Sequence, residues 1–256
     1  KNSFFAGLLS LTIMISCQPD KQLTNYVNPL LGTATLWETK DLGYERHLKT
    51  RTWGAEVFPG SSVPNAMVQL SPVTQFRSGA GYQYEDTVIY GFSHTNKGHW
   101  NLLHLPVLPV TGNVSSGDYA STYSHSNESA RPGYYQVFLE RYGVNAELTS
   151  TLRCAYHKYT FRPDDDKKVL VDITRTNNGV RDWSIQKVDD YTFSGNQDAE
   201  GNIRFYAVSN YKIEDIRQLK DGEHEVSVVS FADSKGSKPL ELKIGFSFVS
   251  IDNAKM

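Results

Sequence analysis

Apolar and polar positions alternate with a period of two along much of the chain, the pattern of strands that bury one face. Residues 135–142, Tyr-Gln-Val-Phe-Leu-Glu-Arg-Tyr, show it in part, and 155–161, Ala-Tyr-His-Lys-Tyr-Thr-Phe, show it again. A short β-branched run fills 168–173, and further strand patterns cover 203–208 and 225–231. The cleanest alternation is Leu-Glu-Leu-Lys-Ile-Gly-Phe-Ser-Phe-Val at 240–249. Turn clusters separate these runs: Pro163 to Asp166, Asn177-Asn178-Gly179, Ser194-Gly195-Asn196, Asp221-Gly222 and Ser234-Lys235-Gly236. Short strands with turn signals between them predict an all-β chain, an antiparallel sandwich or barrel. No earlier segment carries the period of an amphipathic helix. At the end, Asp252 or Asn253 before Ala-Lys-Met reads as a helix N-cap.

Two stretches depart from this pattern. The first is the start, where Lys1-Asn2-Ser3 precedes an apolar run from Phe4 to Ile15 and then Ser16-Cys17. A basic start, a short apolar stretch and a small residue before the cut make a signal peptide, too short to span a bilayer. Cys17 directly after Met14-Ile15-Ser16 resembles a bacterial lipobox, in which the Cys becomes the lipidated first residue. The other reading is an ordinary signal peptide with an incidental Cys. Either one predicts a protein outside the cytoplasm: periplasmic or at the cell surface, anchored by lipid to the outer membrane, or otherwise secreted.

The second stretch is 31–113, rich in Gly, Pro, Trp and His, with long irregular segments. Loops this long inside a compact domain tend to be functional. Within it, Gly91-Phe92-Ser93-His94-Thr95-Asn96-Lys97-Gly98-His99-Trp100-Asn101-Leu102-Leu103-His104 gathers His, Trp and Asn. Three readings are open. His94, His99 and His104 form a metal site, although a spacing of five puts them on no common strand face or helix stripe. Trp100 stacks on a sugar face while His and Asn bind hydroxyls. Or the segment is a structural loop with satisfied polar groups. A second constellation runs from Arg51 through Trp53 and Phe58-Pro59-Gly60-Ser61 to Pro64. Gly60 there permits close backbone approach, and the alternative is a plain connection between strands. Glycoside hydrolysis needs paired carboxylates; Glu38, Asp41, Glu45 and Glu56 are present, but spacing does not pair them.

Composition narrows the function classes. The 256 residues suit one large domain or two small ones, and a net charge of −2 argues against nucleic-acid binding. No apolar run reaches ~18 residues, which excludes a helical multi-span membrane protein. With two Cys there is no disulfide framework. Cys154 shares its alternating face with Leu152 and Tyr156 and is expected to be a buried structural thiol; no Cys/His pair has zinc spacing. The 15 Tyr, 12 Phe and 4 Trp suit sheets and wet binding surfaces.

Taken in order, several motifs resemble the N-terminal domain of glycoside hydrolase family 92, the calcium-dependent α-mannosidases. They are Tyr26-Val27-Asn28-Pro29-Leu30-Leu31-Gly32-Thr33, Phe58-Pro59-Gly60-Ser61-Ser62-Val63-Pro64 with Met67-Val68-Gln69-Leu70-Ser71-Pro72, and Gly81-Tyr82-Gln83-Tyr84. Ile89-Tyr90-Gly91-Phe92-Ser93-His94-Thr95, Pro132-Gly133-Tyr134-Tyr135, Ala146-Glu147-Leu148-Thr149 and His157-Lys158-Tyr159-Thr160-Phe161 follow. The resemblance implies a large antiparallel β-sandwich of the galactose-mutarotase-like super-sandwich type over 25–250. It implies a signal peptide at 1–16, a linker at 17–24, and the start of an interdomain helix at 251–256. An (α/α)6 barrel beyond this chain carries the catalytic carboxylates of an inverting mechanism and most of the calcium environment. A mannose-containing glycan and that barrel are the expected partners, with no nucleic acid and no membrane contact beyond a lipid anchor. No catalytic residue is expected here, and the resemblance assigns no particular residue of this chain to calcium. The implied sugar-pocket residues are Phe58, Pro59, Gly60, Ser61 and His94, with Trp53, His99 and Trp100 as candidates beside them. Where the family commonly follows its His with a Ser-Gly-Thr-Gly-like turn, this chain has Asn96-Lys97-Gly98-His99-Trp100, and Trp37 to Trp53 is an uncommon insertion. Both departures bear on linkage preference. A stand-alone carbohydrate-binding lipoprotein without catalysis is the alternative reading.

Overall fold

The computed structural model describes residues 22–35, 55–96, 100–222 and 224–255. Two antiparallel sheets stack face to face. The larger has eight strands, in the order β11 (Asp182–Lys187), β12 (Thr192–Asp198), β13 (Ile203–Ser209), β16 (Leu240–Ser247), β9 (Cys154–Thr160), β8 (Val144–Ser150), β7 (Tyr134–Leu139) and β6 (Glu128–Arg131). The other has six: β1 (Ser71–Val73), β3 (Gly91–Ser93), β4 (Val107–Val110), β10 (Lys168–Val171), β15 (His224–Phe231) and β14 (Ile213–Asp221). A ribbon pairs β2 (Val88–Ile89) with β5 (Ser121–Thr122). The antiparallel sandwich expected from the alternation is what the chain forms.

The inner face of the large sheet follows directly from the period of two. Tyr135, Val137 and Leu139 of β7 are buried while Tyr134, Gln136 and Phe138 are only half-buried. The same rule buries Ala155, His157 and Tyr159 of β9, and Leu240, Leu242 and Ile244 of β16. Phe92 of β3 crosses from the opposite sheet to lie against Tyr135 and Tyr159, with ring centroids 6.4 and 6.3 Å away. Each such fully buried ring stabilises the fold by ~1.5–3 kcal/mol relative to exposure. In the smaller sheet β4 is buried along its whole length, and β10 nearly so. Such strands read as continuous apolar runs without alternation.

Three expectations need correction. Ser194-Gly195-Asn196 is no turn; it is the middle of β12, and the chain reverses instead at 199–202. A Cβ on Gly195 would meet Ser184 O at 1.9 Å and Phe205 Cζ at 2.8 Å. This glycine marks a close approach within the sheet. Cys154 and Tyr156 do share a face, but it is the outer one: Leu152 is exposed and Cys154 only half-buried. Burial still pushes the Cys154 thiol pKa up. The terminal helix α1 (Ile251–Ala254) is capped by neither Asp252 nor Asn253 but by Ser250, whose hydroxyl accepts from Asn253 N at 3.1 Å.

Helix is otherwise confined, among the described residues, to 3-10 turns at Leu23–Tyr26 and His125–Asn127. None of these is long and apolar enough to cross a membrane. The irregular N-terminal third holds β1, β3 and β4, which pair with one another and with β10.

Candidate functional site

Among the described residues, hydrogen bonds join the connections of the N-terminal third into one layer. Ala55 N donates to Gly32 O at 2.8 Å, and Tyr84 N to Thr33 O at 3.2 Å. Thr35 N donates to Glu85 Oε1 at 2.9 Å, tying 28–35 to 83–85. Asn101 N donates to Gly79 O at 2.8 Å. Buried Asn177 is the central tie. Its Oδ1 accepts from Arg77 N at 2.7 Å, and its Nδ2 donates to Ser78 O at 2.8 Å and to Asn101 O. One amide side chain thus holds three loop carbonyls and amides that would otherwise need water.

Phe58, Pro59, Gly60 and Ser61 form the floor of this layer. Ser61 is fully buried and bridges to Leu70, with N–H···O distances of 2.8 and 2.9 Å in the two directions. Its hydroxyl lies 2.9 Å from Ser150 Oγ at the end of β8. The close approach expected at Gly60 exists, but its partner is the chain itself: a Cβ there would stand 2.0 Å from Leu70 O. Pro59 is buried and Phe58 half-buried. The residue before Leu70, Gln69, donates from N to His94 O at 3.0 Å and accepts at its carbonyl from Asn96 Nδ2 at 2.9 Å. The two constellations singled out in the sequence therefore meet through 69–70.

His94 does not face the layer's surface. Its ring lies fully buried between the sheets, 4.7 Å from the Phe246 ring centroid. Nδ1 is 2.8 Å from Leu105 O, which only accepts, so Nδ1 carries the proton. Burial lowers the His94 pKa to about 3, so the ring is neutral and Nε2 is an acceptor. His157 Nε2, 3.0 Å away, must then be the donor. That leaves His157 Nδ1 to accept from the Tyr159 hydroxyl at 2.7 Å. One tautomer assignment satisfies the whole row from Tyr159 to Leu105. His94 has no ring nitrogen left for a sugar; the expected contact there is replaced by a core role. His104 is buried too, lowered to about 4 by desolvation, with Nδ1 3.0 Å from Thr95 Oγ1. Its partner is that hydroxyl and not a metal-sharing histidine.

Trp100 lies at the surface, 36% exposed. Its indole N–H donates to Asn178 Oδ1, and Asn178 Nδ2 donates to Glu200 Oε2. The indole N–H is thus committed to the loop that carries Asn178. Asn177, Asn178 and Glu200 were not singled out in the sequence, where Asn177-Asn178-Gly179 reads only as a turn. The Asn-Asn pair was the available signal, since amide side chains are suited to tying loops. Trp53, His99 and Cys17 lie outside the described residues. Among the described residues no group of three or more His, Cys, Asp or Glu side chains is arranged to hold a metal ion.

The family model for the glycosyl hydrolase family 92 N-terminal domain matches residues 26–247. A solved family GH92 α-mannosidase from Bacteroides thetaiotaomicron, in complex with mannoimidazole, superposes with a TM-score of 0.77 at 27% identity, over 91% of this chain and 33% of that one. A family GH92 inverting mannosidase from the same organism gives 0.74 at 21% identity, over 90% of this chain and 32% of that one, a likeness of fold alone. The chain thus spans about a third of the length of these solved relatives. No curated protein sequence matches it. The ordered motifs, the sandwich and the matched span lead to one assignment: the chain belongs to glycosyl hydrolase family 92 and comprises its N-terminal domain.

Proposed function

We propose that this chain lines part of the sugar pocket of an exo-acting α-mannosidase that hydrolyses α-mannosidic bonds in glycans with inversion. The observation that supports it is family membership over 26–247, together with 27% identity to an α-mannosidase. In this reading the acid and base carboxylates come from an (α/α)6 barrel domain of the same enzyme. One protonates the leaving oxygen and the other activates water, ~6.5–9.5 Å away. The residues of this chain position the sugar. Trp100 offers an apolar ring face to sugar C–H groups, and Asn178 fixes that ring. Phe58 to Ser61 form the floor, with Trp53 and His99 as further candidates. Among the described residues no cluster of three or more His, Cys, Asp or Glu side chains is arranged around a cation. Calcium is assigned to the full-length enzyme, with most of its environment in the barrel domain, and no step is routed through it. Export, with lipidation at Cys17 and attachment to the outer membrane, completes the reading.

The test is hydrolysis of an aryl α-mannoside by the full-length protein, with the first-formed anomer of mannose followed by NMR. β-Mannose is expected first. Absence of hydrolysis on every α-mannoside tried would sink the reading, and α-mannose as first product would sink the inverting part. The exposed Trp100 also suits a carbohydrate-binding lipoprotein without catalysis. Glycan binding by a full-length protein that never turns over would favour that alternative.

A further inference from the structure

A cleft of about 480 Å³ opens between the loop at 74–77 and the loop at 174–179. Among the described residues, Arg77 and Arg175 are the charged ones that line it, and no acidic side chain does. Positive lining is not a reflection of composition, since the whole chain carries −2. We propose that this cleft recognises an oxyanion carried by a sugar, a carboxylate, sulfate or phosphate group on the glycan. The choice of a sugar as carrier rests on the glycan-processing reading above; the choice of an anion does not.

Arg175 is held through its side chain and Arg77 through its backbone before any ligand arrives. The Arg175 guanidinium lies over the Phe76 ring at 4.3 Å and near Tyr90 at 5.3 Å. Its Nη1 donates to the Tyr119 hydroxyl at 3.2 Å and stands 3.8 Å from Asp172 Oδ2. Asp172 is fully buried and is shared: the Tyr119 hydroxyl and His224 Nε2, at 2.9 Å, also bond to it. Two rings and a buried carboxylate thus fix one side of the guanidinium. Its side chain is 37% exposed, so part of its five-donor fork faces the cleft.

Arg77 is held through its backbone. It sits at φ +56°, a left-handed conformation that long side chains avoid. Its N–H is tied to Asn177, whose amide also grips Ser78 O and Asn101 O. Strain kept in place by a buried tie is a mark of a functional position. The cleft's threonine hydroxyls are already committed: Thr74 donates to Asp86, Thr174 to Glu225 O and Thr176 to Gly179 O. The arginines are the charged donors that line it, and planar forks match oxyanions.

The experiment is calorimetric titration of the full-length protein at ~50 mM salt, where screening is weak. The probes are D-mannuronate, mannose 6-sulfate, D-mannose and sodium sulfate. Both acidic sugars are expected to bind at least about tenfold more tightly than mannose, the gain of one charge-assisted pair. Arg77→Ala and Arg175→Gln are each expected to remove most of that preference, and raised salt to shrink it. Arg77 is exposed, so its variant reports on the cleft even if Arg175→Gln unfolds. Equal binding of acidic and neutral sugars, or an unchanged preference in Arg77→Ala, would overturn the proposal. Sulfate binding as tightly as mannose 6-sulfate would overturn its sugar half. Turnover of an uncharged α-mannoside tests the mannosidase reading separately, so the two can fail independently.

Discussion

His94 Nε2 lies 3.0 Å from His157 Nε2 in a space closed to water, and the two rings can coexist there only while both are neutral. Burial lowers both pKa values, His94 to about 3 and His157 well below the usual histidine value. Below pH ~6.5 the unfolded chain takes up protons that the folded chain refuses, so stability present above that pH is lost as pH falls towards about 3. Each histidine is expected to steepen the loss by up to ~1.4 kcal/mol per pH unit. Urea midpoints between pH 7 and 4.5 would measure it. The double variant His94→Gln, His157→Gln should show a shallower slope, and an unchanged slope would refute the account.

Gly60→Ala places a Cβ 2.0 Å from Leu70 O, a backbone atom that cannot move without opening the Ser61–Leu70 bridge. A cost of ~1–3 kcal/mol or more is expected from such overpacking. Thermal unfolding of the variant reads it directly. A midpoint equal to that of the parent would mean the loop shifts freely.

Asn177→Ala removes the tie between Arg77, Ser78 and Asn101. Leaving buried backbone groups unpaired costs ~1–3 kcal/mol each, so a loss of about 2–4 kcal/mol is expected after relaxation. Hydrogen exchange should rise at 77–81 and 101–103 and stay unchanged in β7 and β8. Uniform loss of protection would mean that Asn177 supports the whole fold and not the loop layer.

Trp100→Ala in the full-length protein should lower kcat/KM on an α-mannoside by about tenfold, the value of one lost ring contact. The unfolding midpoint should barely move, since the ring is already partly exposed. Unchanged turnover would assign Trp100 to loop support alone.

Cys17→Ala should release the protein from the membrane fraction and abolish incorporation of labelled fatty acid. Continued membrane association would remove the lipid-anchor reading.

The sequence made some of this legible and hid the rest for physical reasons. β7 and β9 were readable because one face is buried and the other is not, so their composition alternates. β1 and β3 were not: each has three residues, all buried, and exists only through its partner. Gly195 misled because a glycine that admits Phe205 looks like one that makes a turn. The structure joins the two segments singled out in the sequence through 69–70, but the direction of His94 was hidden. Its partner, His157, is 63 residues away, and no local pattern encodes which side of a strand end a ring will take.

The Arg77–Asn177 tie spans 100 residues. At ~5–20 residues per second, the ribosome delivers Asn177 about 5–20 s after Arg77. During that interval the 74–81 segment has strand β1 behind it and its bonds to Asn101, but not the Asn177 tie. Closing so long a loop is entropically slow. The rim around Arg77 is therefore finished well after its own residues are made, and a nascent chain stalled before residue 177 would hold β1 to β10 but not this tie.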